Sequence, residues 1–112
     1  MAPEPRLRAG IWVAAYLARL GAQAIPAFVL HRGDDTAGAV LVVVATLDGR
    51  ATAHQRSFDL LTGARAWITL AEGSEAEVAE AVARQRRFDP DLWVIEVEDR
   101  QGRSLLGEEG LT

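Results

Sequence analysis

The stretch RQRRFDPDLWVIEVED, Arg84–Asp99, holds a helix end, a stop and a strand, and its reading decides the fold. Arg84, Arg86 and Arg87 crowd the last turn of a helix, where cations complement the negative end of the helix dipole. Pro90 cannot continue that helix and pushes Asp89 into an extended or turn conformation. From Leu92 to Glu98 the side chains alternate as in a strand. Trp93, Ile95 and Val97 face a core; Leu92 and Val94 face the other way, and Glu96 and Glu98 carry that face into solvent. Charged clusters of this kind are usually the solvated ends of elements. The stretch therefore reads first as a helix-to-strand junction, with Arg84 leaning toward Glu80 and Arg86 or Arg87 toward Asp89 or Asp91. If it is instead a binding site, its residues are Arg84, Arg86, Arg87, Asp89, Asp91 and Trp93.

Upstream, Ser74-Glu75-Ala76-Glu77 is a capping box, in which the Ser74 hydroxyl accepts from the Glu77 N–H and the Glu77 carboxylate reaches back. The helix it starts runs to about Phe88, with an inner stripe of Val78, Ala81, Val82, Gln85 and Phe88. Before it lie four strand-like segments: Pro26–Arg32, Ala39–Leu47, Ala51–Ser57 and Ala66–Ala71. Gly33–Gly38 has the composition of a turn, Asp48-Gly49 suits a hairpin, and Leu60–Gly63 reads as a loop. AVLVVVATL, Ala39–Leu47, is apolar on both faces and must be covered on both. The polar strand Ala51–Ser57 suits a place near an edge. Arg8–Leu20 reads as a helix, closed by Gly21, that is apolar on nearly all sides. Downstream, Asp99-Arg100-Gln101-Gly102 fits a type I turn; a short return strand is expected at Ser104–Leu106, and residues 107–112 should form a loose tail. The order α-β-β-β-β-α-β, with short connections, predicts one α+β domain over residues 1–112. Its five-stranded antiparallel meander should pack with two helices.

Composition narrows the chemistry. The chain has 112 residues, no cysteine and a formal net charge of −4. Disulfides, thiolate metal sites and thiol nucleophiles are excluded, and broad nucleic-acid binding is disfavoured. All 12 basic residues are arginine, so no Schiff base and no P-loop lysine is possible. Arg6 and Arg8 before IWVAAYLA, with Ala22-Gln23-Ala24 behind, give the outline of a signal peptide. Glu4 and Arg19 stand at the wrong places for one, and the apolar run is too short to span a bilayer. A structural helix, a cytoplasmic protein and no membrane contact are expected.

The sharpest chemical alternative is a nuclease-like or hydrolytic carboxylate site. Pro90-Asp91 followed by Glu96-x-Glu98, with His54 in support, could hold Mg²⁺ through hard oxygen ligands. The position of the usual lysine is Glu98, and Asp91 is close to Glu96 in sequence for such a motif. His31 and His54 lie on separate strands. Ser57, Ser74 and Ser104 have no adjacent histidine and no nucleophile elbow, and no Gly-rich phosphate loop is present. Arg84, Arg86 and Arg87 could meet phosphates of a nucleic acid, but they lack interleaved aromatics.

Three segments together resemble a known bacterial family: AGIWVAAYLARL, AIPAFVLHRGDDTAGAVLV and, most specifically, ARQRRFDPDLWVIEVEDRQGR. They resemble the family known as domain of unknown function 1491. That resemblance implies a small stand-alone intracellular α+β protein and carries over no catalytic residue. The expected function is a non-enzymatic binding or adaptor module for a protein or small molecule, with no metal and no cofactor. A homodimer is expected, because two helices cannot cover all the apolar surface. Trp12 and Tyr16 should sit at its centre, with Arg19 beside them.

Overall fold

The computed structural model describes residues 8–58, 61–62, 65–108 and 111. The elements follow the predicted order: α1 (Ala9–Ala22), β1 (Ala27–His31), β2 (Val40–Ala45), β3 (Arg50–Phe58), β4 (Arg65–Ser74), α2 (Glu75–Phe88) and β5 (Trp93–Glu98). The capping box forms, with the Glu77 N–H 3.1 Å from Ser74 Oγ and the Ser74 N–H returning to the Glu77 carboxylate. The loop expected at Leu60–Gly63 falls partly outside the described residues, as do Glu4 and Arg6.

The sheet runs β1-β5-β2-β3-β4. β2, β3 and β4 form the expected antiparallel meander. The last strand does not extend it. β5 inserts between β1 and β2, antiparallel to the first and parallel to the second. Burial explains the choice: β2 is buried at all six positions, and in β5 Trp93, Val94, Ile95 and Val97 are buried on both faces. Two such strands belong at the centre, side by side. β3 is correspondingly interior, and β4 and β1 are the edges.

Residues 32–39 span the slot that β5 fills, and they clasp its entry. The Asp34 N–H donates to the Asp91 carbonyl at 3.0 Å, the Trp93 N–H to the Ala39 carbonyl at 2.9 Å, and Trp93 Nε1 to the Asp34 carbonyl at 2.8 Å. Asp34 Oδ2 accepts from the Thr36 and Ala37 N–H groups and holds the loop's own turn.

The helices lie on opposite faces, giving three layers. α1 covers Val40, Val42, Val44, Trp93, Ile95 and Val97 with Trp12, Val13, Tyr16 and Leu20. α2 covers Leu41, Val43, Ala51, Ala53, Leu92 and Val94 with Val78 and Val82. Trp12 and Tyr16, expected at a dimer centre, are 4% and 0% exposed. The correction has a physical cause: the C-terminal segment comes back over α1. Tyr16 donates to the Ser104 carbonyl at 2.7 Å, and Leu106 and Leu111 join the same core. Trp67 Nε1 donates to the Leu111 carbonyl, and Glu108 pairs with Arg19 at 3.6 Å. The tail is therefore buried at Leu106 and Leu111 and tied at Glu108 by its ion pair rather than loose, and no return strand forms at Ser104–Leu106. Instead Asp99 closes the turn, accepting from the Arg103 N–H at 2.7 Å and from its guanidinium.

Candidate functional site

α2 packs over β3 and β4, so on its face of the sheet β5 and β1 are left partly open. Strand pairing brings Val43, Val94, Glu96 and His31 to this face. The open strip is a groove of about 180 Å³, floored by Val43 and Val94 and walled by Ala79, Val82 and Ala83 of α2 and Leu30 of β1. Glu75, Arg86, Glu96 and His31 also line it. The floor is apolar and the polar groups are few, the usual make-up of a small-ligand site.

The charges here are not settled by the chain itself. The Glu96 carboxyl is pushed above its ordinary range, first by burial and then by the nearby Glu98 and Glu75 carboxylates. Arg86 Nε is buried and, among the described residues, has no hydrogen-bond partner. A buried donor left unmade typically costs about 1–3 kcal/mol, so a ligand acceptor at this point would recover real free energy.

The residues singled out from the sequence divide. Arg84 pairs with Glu80 at 3.5 Å as its spacing predicts; both are well exposed, and such a pair is worth about 0.2–1 kcal/mol. Arg86 turns to the groove, and among the described residues neither it nor Arg87 pairs with Asp89 or Asp91. Asp89 caps α2 and accepts from the Asp91 N–H at 3.1 Å. Asp91 gives its carbonyl to the clasp. Trp93 lies on the opposite face from Glu96, its ring 5.4 Å from the Arg32 guanidinium carbon. Phe88 does not close the inner stripe, which ends at Val82; Phe88 is 87% exposed.

Asp91, Glu96 and Glu98 do not converge. Asp91 precedes β5, and at about 3.3 Å per residue it stands well away from Glu96. Among the described residues no group of three or more histidines and carboxylates is placed to hold a metal ion. His31 and His54 face opposite sides of the sheet; burial lowers the His54 imidazole, with Glu72 acting against it. Sequence reasoning missed the groove because Glu96 was read as solvated. The available signal was its place two residues after buried Val94, on the same face.

Fold and groove together define a small three-layer α+β domain with a recess of about 180 Å³ beside its central strands. The chain belongs to the family described as Protein of unknown function (DUF1491), whose sequence pattern matches residues 7–107. It is similar to a DUF1491 family protein from Caulobacter crescentus CB15 solved by crystallography, with 37% identity and a TM-score of 0.83 over 92% of this chain and 97% of that one. An NMR structure of a DUF1491 family protein from the same bacterium gives 38% identity and a TM-score of 0.79, covering 91% and 94%. The solution structure of protein Atu0922 from A. tumefaciens gives 32% and 0.72, covering 84% and 86%. No curated protein matches the chain. Among the described residues no helix is long and apolar enough to cross a membrane.

Proposed function

We propose that this protein is a non-enzymatic, cytoplasmic binding module, and that the groove beside α2 takes a small zwitterion with an apolar side chain, of the α-amino-acid kind. The observation that carries the reading is a buried Arg86 Nε with no hydrogen-bond partner among the described residues, in a groove that partly buried Glu96 also lines and whose floor is apolar. A ligand carboxylate suits the guanidinium, an ammonium suits Glu96, and a short branched side chain suits Val43, Val82 and Val94. Addition of L-valine or L-leucine, followed by amide NMR, should give saturable shifts centred on these residues. Arg86→Ala should weaken binding about tenfold or more, the size of one charged hydrogen bond. No saturable shift with either amino acid, or unchanged affinity in Arg86→Ala, overturns the reading.

The homodimer belongs to this proposal on a different surface. Phe28, Val29 and Leu30 are 49%, 41% and 47% exposed on the edge strand β1, and a second copy pairing there would cover them. The hydrolase alternative has less support, because Asp91 precedes β5 and stands apart from Glu96 and Glu98. A nucleic-acid role for Arg84, Arg86 and Arg87 has less support too, because Arg84 is paired and Arg86 turns inward.

A further inference from the structure

The two edges of the sheet are built differently. Natural edge strands are usually blunted by charges, prolines or bulges. β4 carries Arg65 and Glu72. β1 reads AFVLH, without a carboxylate, lysine or arginine, and Phe28, Val29 and Leu30 are exposed in succession. Its backbone bonding can be assigned from the strand beside it. The Trp93 and Asp99 N–H groups donate to the Ala39 and Ala45 carbonyls on the β2 side, whereas the Glu98 N–H donates to the Pro26 carbonyl on the β1 side. Odd-numbered residues of β5 therefore bond to β2 and even-numbered ones to β1. Phe28, opposite Glu96, is bonded inward, so Ala27 and Val29 direct their N–H and C=O groups to the open edge. Pro26 has no N–H to offer before them, and the register shift between Val29 and His31 interrupts the ladder after them. The open edge is a three-residue segment centred on Phe28.

Such a segment is complementary to itself. With Phe28 opposite Phe28 of a second copy, antiparallel, Ala27 of each copy meets Val29 of the other, and every N–H and C=O that these residues turn outward is bonded. The central pair is then a non-hydrogen-bonded one, which brings its side chains closest, so two Phe28 rings meet on the two-fold axis. Phe28 shares its face of the sheet with Glu96, and that is the face of the groove beside α2. Leu30, two residues along, is a wall of that groove. Diagonal neighbours across such a pair stand about 7–8 Å apart, within reach of an aromatic side chain. We propose that a second copy pairs along β1 in this register, and that the partner's Phe28 closes the side of the groove at Leu30. Resting on the zwitterion-binding groove proposed above, this makes each site complete only in the pair. Occupancy and pairing are then linked, and each strengthens the other by the same factor.

The chain has no cysteine, so single-cysteine variants of the full chain report the pairing directly. Under mild oxidation Phe28→Cys should cross-link to a covalent dimer. Val29→Cys, whose neighbour in this register is Ala27, should cross-link far less, because its own counterpart lies too far away for a disulfide. Equal cross-linking of the two variants, or none in either, overturns the register. Closure of the groove is read without any ligand, in a mixture of isotope-labelled and unlabelled parent protein. Isotope-filtered NOEs should join the Phe28 ring of one copy to the Leu30 methyls of the other, and a dimer that lacks this contact overturns the closure. L-leucine should bind more tightly above the dimer's dissociation constant than below it, and equal affinity in monomer and dimer overturns the linkage. If the cross-link and the NOE appear but L-leucine binds neither form, the zwitterion reading fails and the shared groove stands.

Discussion

Glu96 and Asp99 lie three residues apart and respond to acid in opposite ways. Burial first, then Glu98 and Glu75, raises the Glu96 carboxyl, whereas hydrogen bonds from the Arg103 side chain and backbone hold Asp99 below its usual range. A raised folded pKa means that the folded chain holds this proton more tightly than the unfolded chain does. The resulting stability is complete below the ordinary glutamate value and is lost as pH rises through the raised one. Asp99 does the reverse: its contribution is complete above the ordinary aspartate value and is lost as pH falls through the depressed one. Glu96→Gln removes the first titration and leaves the second. Thermal melts across the acid range should show the variant more stable than the parent at neutral pH, with the gap closing as pH falls past the ordinary glutamate value. A gap that is constant with pH would mean that Glu96 does not feel the groove.

At the scale of elements, the junction read from RQRRFDPDLWVIEVED and the loop HRGDDTAG turn out to be two halves of one clasp. Gly33 makes the close approach possible. A Cβ there would lie under 3 Å from the Asp91 carbonyl oxygen and from the Trp93 nitrogen and ring, and backbone atoms cannot give way. Gly33→Ala should destabilise the protein by about 1–3 kcal/mol or more. At Gly21 a Cβ meets nothing within 4 Å, and Gly21→Ala should be neutral or stabilising by up to about 1 kcal/mol. Urea unfolding of both variants checks the contrast. The helix stop at Pro90, the alternation after Leu92 and the Ser74 capping box were legible because each is a local effect within one turn or one strand. The slot was not legible, because Gly33–Gly38 has turn composition whether its flanking strands pair or stand apart. The groove followed the slot: the alternation after Val94 puts Glu96 on the same face, but only the placing of β5 inside the sheet sets that face beside α2.

At the scale of the molecule, each face of the sheet carries one helix, and Phe28, Val29 and Leu30 leave three successive exposed apolar side chains on the edge strand β1. Sedimentation at micromolar concentration should give a dimer mass, and Phe28→Lys should shift it to monomer. A monomer mass that does not change on concentration ends the homodimer proposal. Trp12 and Tyr16 misled because an apolar helix looks the same whether a partner covers it or the chain's own distant end does. Strand order has one more consequence, in time rather than space. The strand at the centre of the sheet is the last to leave the ribosome, and it is flanked by two strands made long before it. Until residues 93–98 emerge, β2 lacks its partner on one bonding edge, so completing the sheet waits on contacts distant in sequence, which tend to slow folding. Surface and strand edges bared in this way are what holding chaperones and strand exchange act on in general.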